Sequence, residues 1–360
     1  MNNTFKKVLK FSALINSSLE FDEIRKRSIE AIMELLNCEA GSLLFYDEEK
    51  RELYFDVALG EKADKVKTIR LKLGQGIAGW VAEHKKPLII NDVQNDPRFF
   101  KDADKKSGFV TRNMVCVPVL IKDKLVGVIQ AINKKNGEFT EEDLELLTAL
   151  SHQIAVAIEN ARLYNELKET FFNVVFALAD TIEKRDPYTG GHTKRVMTYS
   201  MAIGEEMGLD KKQLELLQLS AILHDIGKIG IKDEILLKRT KLTKEEYEII
   251  KKHPVYGEEI LKHIKQMKDV IPGVKYHHER PDGKGYPDGL KGDEIPLIAK
   301  IIAVADTFDA MTTDRPYRKG LPLEEAINEL KRCSGTQFDP EVVKAFLRVL
   351  EKHPEIINKE

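Results

Sequence analysis

Between Glu141 and Lys184 the chain has neither proline nor glycine, and no other feature constrains the fold as much. Leu147, Leu150, Ile154, Ala157, Ala161, Tyr164, Lys168, Phe171, Val175, Leu178 and Ile182 follow one another at spacings of three and four. That is the pattern of one helix face. At 1.5 Å per residue such a helix is about 65 Å long. Two readings stay open: an amphipathic helix packed on its own domain, or a parallel helix pair joining two copies of the chain. Only Lys168 breaks the apolar seam.

The two flanks of this stretch differ. Residues 1–37 read as helix, after which the pattern turns to short strands. Ser42–Tyr46 and Leu53–Ala58 form one hairpin, and Val115–Ile121 and Leu125–Ile132 another, each closed by a charged turn. From 185 onward apolar residues recur at helical spacing and strand-like alternation is lacking. The predicted architecture is multidomain, α/β plus all-α: a sensor-like α/β domain over 1–140, a connecting helix over 141–184, and an all-α domain over 185–360.

Composition narrows the class. Of 360 residues 42% are apolar and 32% charged, with a formal net charge of −2, so each half can bury a core and neither is a basic surface for a nucleic-acid polymer. Cys38, Cys116 and Cys333 form no CxxC pair, which argues against a disulfide framework or thiolate zinc site. Together with the lack of any apolar run long enough to span a bilayer, and of a signal-peptide core in Met1–Lys10, this leads us to expect a cytoplasmic protein without a membrane partner.

Six of the nine histidines lie between His192 and His278, so chemistry is expected in the second half. His192, His224-Asp225, His253, His277-His278 and Asp306 are the residues able to hold metal. His224-Asp225 ends the apolar run Leu219–Leu223, and Asp306 follows Ile301–Ala305; polar groups delivered by apolar helix faces into an interior need a partner, and a cation is one. Adjacent helix residues point about 100° apart. Each adjacent pair is therefore expected to serve two neighbouring ions rather than one. Imidazole and carboxylate without thiolate favour iron, manganese or zinc, and a paired site of this kind suits hydrolysis of a phosphoester.

His224-Asp225-Ile-Gly-Lys228 resembles the signature of the HD phosphohydrolases. His277-His-Glu-Arg-Pro-Asp-Gly-Lys-Gly-Tyr-Pro287 matches the HHExxDGxGYP motif of the HD-GYP family at every fixed position. Glu183–His192, Ala305–Met311 and Asp314–Arg318 are similar to that family as well. The resemblance implies a phosphodiesterase that hydrolyses cyclic di-GMP to pGpG and in some members on to GMP. It implies His192, His224, Asp225, His253, His277, His278 and Asp306 as ligands of non-haem iron, with manganese or zinc as alternatives. Asp225 would bridge two ions, and Glu183 would support a third. Lys228 would meet a substrate phosphate, Tyr286 a guanine or ribose, and Arg315 and Arg318 phosphate or the guanine edge. Asp225 and Lys228 carry the expected catalysis. Two other functions stay open: another HD nucleotide phosphohydrolase, and a weakly active module that binds cyclic di-GMP or protein partners.

Residues 18–165 resemble a GAF domain, through Gly74-Gln-Gly-Ile-Ala-Gly-Trp-Val-Ala-Glu83, Pro87–Val93 with Asp96–Phe99, and Gly127–Lys134. Asn133-Lys134, Phe139 and Asp143 partly match a motif of nucleotide-binding GAF domains, but Leu144 replaces its final acid. The ligand is left unknown. The expected partners are thus cyclic di-GMP, this GAF ligand and a second copy of the chain.

Overall fold

Alternation of apolar and polar side chains, broken by charged turns, builds the sheet of the first half. The computed structural model describes residues 11–13, 15, 18, 20–60, 65, 68–185, 190–238, 240–314 and 319–358. The chain divides into two units, Met1–Lys168 and Glu169–Glu360. In the first, helix α1 (Phe21–Leu36) precedes β1 (Cys38–Asp47), β2 (Glu52–Leu59) and β3 (Arg70–Lys72). Helix α2 (Gly76–His84), β4 (Leu88–Ile90), α3 (Lys101–Ser107), β5 (Met114–Ile121) and β6 (Lys124–Lys134) follow. The sheet order is β3-β2-β1-β6-β5-β4, with every neighbouring pair antiparallel. All four strands read from the sequence are present, each somewhat longer than expected. The edge strands β3 and β4, three residues each, are too short for alternation to show.

Helix α4 runs from Glu141 to Arg185. Its first half corrects the paired-helix reading of the seam. Leu147, Leu150, Ile154, Ala157 and Ala161 are buried with Ile24, Ile29, Ile32, Val117 and Ile129 in the core of the first unit, so these residues face their own sheet. Val175 and Ala179 are buried against Ile222, Leu223 and Val274 in the core of the second unit. The exposed apolar residues are instead Val156, Leu163, Leu167, Val174 and Leu178, with Tyr164 and Phe171 beside them. Asn133 bonds to Arg112, Glu39 and Val110, while Lys134, Phe139 and Asp143 have structural work at the start of this helix. Lys134 forms an ion pair with Asp143 and its ammonium lies 5.7 Å from the Phe139 ring, which ties β6 to α4.

The other sheet face, under α2, leaves an apolar cavity. Phe55, Phe99, Phe100 and Phe109 line it, together with Ser42 and Gln130. The Ser42 hydroxyl donates to Gln130 Oε1 at 3.1 Å, and among the described lining residues there is no lysine or arginine.

The second unit is helical, with no β-strand among its described residues. Beyond α5 (His192–Glu206) and α6 (Lys211–Leu223) comes a 3-10 turn, Ile226–Gly230. There follow α7 (Asp233–Leu236), α8 (Lys244–Ile250), α9 (His253–Leu261), α10 (Ile271–Tyr276), α11 (Leu297–Thr312), α12 (Leu323–Cys333) and α13 (Pro340–Lys352). Reciprocal capping boxes set the starts of two α-helices: Asp210 with Gln213 for α6, and Thr243 with Glu246 for α8. Tyr199, Phe308 and Phe346 meet edge-on or tilted at the centre of the core, which fixes α5, α11 and α13 against one another. That frame carries the polar cluster described next.

Candidate metal centre

Four imidazoles are held by groups that can only accept a hydrogen bond. His224 follows α6, His253 opens α9 and His277 follows α10. Their Nδ1 atoms lie 2.8 Å from the Ala221 carbonyl, 2.8 Å from Ile250 and 2.7 Å from Val274, each three residues back. His192 opens α5 and points its Nδ1 at Asp309 Oδ2, 2.7 Å away on α11. Since carbonyl and carboxylate oxygens do not donate, all four Nδ1 atoms carry the proton. The four Nε2 atoms are then left as inward-facing donors of an electron pair, as in metal sites oriented by a surrounding shell.

These nitrogens come in two pairs. His192 Nε2 lies 3.3 Å from His224 Nε2, and His253 Nε2 lies 3.3 Å from His277 Nε2. Two imidazole nitrogens bound at about 2.1 Å to one tetrahedral or octahedral ion stand about 3.0–3.4 Å apart. Asp225 separates the pairs. Its Oδ1 is 3.3 Å from His253 Nε2, while its Oδ2 is 3.4 Å from His224 Nε2 and 3.8 Å from His192 Nε2. Asp306 Oδ1 adds a contact of 3.4 Å to His192 Nε2. The donors form two groups, His192 with His224 and Asp225, and His253 with His277 and His278. The chemistry of the set suits a metal site. One expectation is corrected: His277 and His278 share a group, with ring centroids 4.0 Å apart, and His224 shares one with Asp225. Both pairs lie where a helix ends, so the 100° step of a continuing helix does not apply.

Burial and charge set the protonation. Burial pushes His253 down to about 3 and drives His277 and His278 well below the usual imidazole range, so all three stay neutral. The His253–His277 pair therefore opposes two lone pairs, an arrangement that a cation resolves. At His192 burial also opposes the charge, but the Asp309, Asp306 and Asp225 carboxylates outweigh it and raise the pKa. Without an ion, a proton at His192 Nε2 can bridge to His224. Burial disfavours the Asp225 carboxylate, yet Lys228 and the imidazoles hold it well below the usual carboxylate range.

Lys228 reaches this centre through a turn rather than a continuing helix. Helix α6 stops at Leu223, and the 3-10 turn brings Lys228 Nζ to 2.6 Å from Asp225 Oδ2. Gly227 permits the turn, since a Cβ there would stand 1.9 Å from the His253 carbonyl oxygen. Arg185, at the end of α4, grips the same segment. Its guanidinium donates to the Ile229 and Ile231 carbonyls at 3.1 and 2.9 Å and to Asp233 Oδ1 at 2.8 Å. Glu183 is buried, and its two oxygens accept from the His192 and Thr193 amides at 2.8 and 3.0 Å, capping α5.

The loop after His278 forms a wall. The Tyr286 ring lies 4.7 Å from the His278 ring at 30°. Glu279 is buried and accepts from the amides of Asp288, Gly289 and Leu290 at 2.7–3.0 Å, which anchors the loop. At Gly285 a Cβ would stand 2.5 Å from the backbone of Glu279 and Arg280, so the loop closes only with glycine there. Arg315 and Arg318 lie outside the described residues.

Three contributors escaped the sequence reading. Asp309 is one helical turn beyond Asp306 and orients His192. Arg195, one turn beyond His192, donates to Asp309 Oδ1 and Oδ2 at 2.5 and 3.1 Å. Glu279 is the acid of the HHE triplet. The i, i+3 spacing of Asp306 and Asp309 was the available signal for the first of these.

Helices that deliver imidazoles and a carboxylate to one buried centre define the class of the second unit, and the comparisons agree. Residues 177–342 match the HD domain, and residues 18–159 match the GAF domain. A GAF domain thus stands ahead of an HD domain in this chain. It is 45% identical over 201 residues to a cyclic di-GMP phosphodiesterase of Thermotoga maritima, covering 55% of this chain and 54% of that protein. Similarity to the cyclic di-GMP phosphodiesterase response regulator RpfG of Xanthomonas campestris is 40% over 201 residues, with coverages of 54% and 53%. A 3'3'-cGAMP-specific phosphodiesterase 2 of Vibrio cholerae is 37% identical over 212 residues, with coverages of 58% and 41%. The chain thus spans about half the length of these relatives. Among the described residues no helix is long and apolar enough to cross a membrane.

Proposed function

We propose that the chain is a metal-dependent phosphodiesterase that opens cyclic di-GMP to pGpG, with GMP as a further product. The observation that carries this reading is Asp225, whose two oxygens face two separate imidazole pairs at 3.3–3.8 Å. His192, His224, Asp225 and Asp306 would hold one ion, and His253, His277 and His278 another, with Asp225 shared. Iron is the favoured metal, with manganese or zinc as alternatives. Glu183, which caps α5, is the residue proposed to support a third ion.

Bound divalent ions supply Lewis acidity and water of lowered pKa. The protein does the rest. Asp309 and the three carbonyls fix the imidazoles, so no reorientation is needed during reaction. The Lys228 ammonium, held beside Asp225, would meet a non-bridging phosphate oxygen as negative charge grows there. Tyr286 supports the nucleoside, and Arg315 and Arg318 are proposed to meet phosphate or the guanine edge. Resolving the products over time, with iron, manganese and zinc supplied separately to metal-stripped protein, tests the reading. Accumulation of pGpG is expected, and absence of pGpG with every metal contradicts it.

The GAF unit is proposed to regulate this activity. Its cavity, with four phenylalanines and no cation among the described lining residues, favours a neutral, largely apolar ligand over a nucleotide. We also propose a homodimer. Val156, Leu163, Leu167, Val174 and Leu178 are exposed on α4 at alternating steps of seven and four, the spacing of a parallel helix pair. This seam replaces the one read from the sequence.

A further inference from the structure

Beyond the imidazole cluster, aromatic and cationic groups continue in a row. The Tyr286 ring lies against His278. The Lys251 ammonium is 5.7 Å from the centroid of Tyr286 and 5.0 Å from that of Tyr247, so one cation joins two phenol rings. Glu248 holds the same ammonium at 2.7 Å. Tyr247, on α8, is 48% exposed and belongs to none of the apolar clusters of the described residues. A large ring left this open contributes little to folding, yet a cation–π contact and a lysine fixed by its own carboxylate hold it in place. The row offers a stacking surface and a hydrogen-bond donor beside a centre suited to cutting phosphodiesters.

We infer that Tyr247 and Lys251 form a purine-recognition wall in which Tyr247 supplies stacking and Lys251 selects guanine over adenine. This rests on the cyclic-dinucleotide reading and adds to it a residue that determines specificity. The two roles follow from chemistry. Stacking on an aromatic ring tolerates any base. An ammonium donates only: guanine offers it O6 and N7 as acceptors, whereas adenine places the N6 amino donor where O6 would be. Loss of Tyr247 therefore weakens both purines alike, while loss of Lys251 weakens guanine more than adenine, which offers N7 as its one acceptor on that edge. Both residues lie at the surface, so substitutions leave the core intact.

The test uses the full chain with metal supplied, and compares kcat/KM for cyclic di-GMP, 3'3'-cGAMP and cyclic di-AMP. For Lys251→Met the preference for cyclic di-GMP over cyclic di-AMP is expected to fall about tenfold, with 3'3'-cGAMP intermediate. Lys251→Arg, which keeps a cationic donor, is expected to retain most of the preference. Tyr247→Ala is expected to raise KM for every cyclic dinucleotide by a similar factor and leave the ratios unchanged. Lys251→Gln provides a second variant of intermediate character. A preference that moves less than twofold in both Lys251→Met and Lys251→Gln, with all substrates slowed equally, overturns the inference while sparing the activity. A wild-type protein inert toward all three dinucleotides overturns the reading beneath it.

Discussion

The two units bury polar groups in opposite ways. In the GAF cavity the protein satisfies most of its own: Ser42 donates to Gln130, and the Asp104 carboxylate accepts from the Thr111 amide, the Thr111 hydroxyl and Gln94 at 2.7–3.2 Å. What remains is apolar wall. In the HD unit, the outer nitrogen of each of four imidazoles is satisfied and the inner one is left facing a like neighbour. Buried polar atoms without partners are costly, so the second arrangement makes sense when a cation completes it. The first makes sense when something greasy does.

Removing the shared carboxylate should break the contrast most severely. For Asp225→Asn, turnover of cyclic di-GMP is expected to drop at least a thousandfold, a loss of about 4 kcal/mol of transition-state stabilisation, and elemental analysis should show the metal content falling with it. Asp309→Asn removes the charge that orients His192 without touching the inner nitrogens. Metal affinity measured by chelator competition is expected to weaken about 10–100-fold. Full affinity in that variant would show that the outer hydrogen bonds are incidental.

Two predictions concern stability. Gly227→Ala forces a methyl group onto the His253 carbonyl and is expected to cost about 3 kcal/mol, read as a lowered denaturant midpoint; the same change at Gly137, with nothing within 4 Å but a φ of +76°, should cost nearer 1 kcal/mol. Acidification of the metal-free protein has a definite sign. His253, at about 3, and His277 and His278 have folded-state pKa values below the unfolded one. Their contribution is present above about pH 6.5 and lost as pH falls toward the folded values, while the raised value of His192 partly offsets this. Between pH 7 and pH 5 the metal-free protein should lose on the order of 4 kcal/mol by denaturant titration. Bound metal should largely abolish that slope, and an equal slope with and without metal would contradict the assignment. The smallest effect is expected at the α4 stripe, where Leu167→Glu should shift sedimentation from dimer to monomer and leave the fold unchanged.

Much of this was legible in the sequence because short-range patterns have local causes. The hairpin strands follow from alternation and charged turns. Helices α6 and α13 start at local signals, the capping side chains of Asp210 and Asp339. The imidazoles and acids of the centre were named from motif and from apolar runs ending in polar residues, and the fold brings His192, His224, Asp225, His253, His277, His278 and Asp306 together. What stayed hidden depends on tertiary direction. The apolar spacing of 141–184 shows a buried face but not what buries it, and here the sheet of the first unit takes Leu147–Ala161. The place where α6 stops decides that Lys228 meets Asp225 through a 3-10 turn. Nor does spacing reveal that the carboxylate of Glu183 caps α5, or that Asp309 holds the ring of His192.

The most direct test is to strip the protein of metal under anaerobic reducing conditions, titrate ferrous iron back, and follow bound iron and pGpG formation on the same samples. The account predicts an inert metal-free protein that regains turnover as iron approaches at least two ions per chain. Cleavage of cyclic di-GMP by the stripped protein, or full activity with the centre still empty, would contradict it.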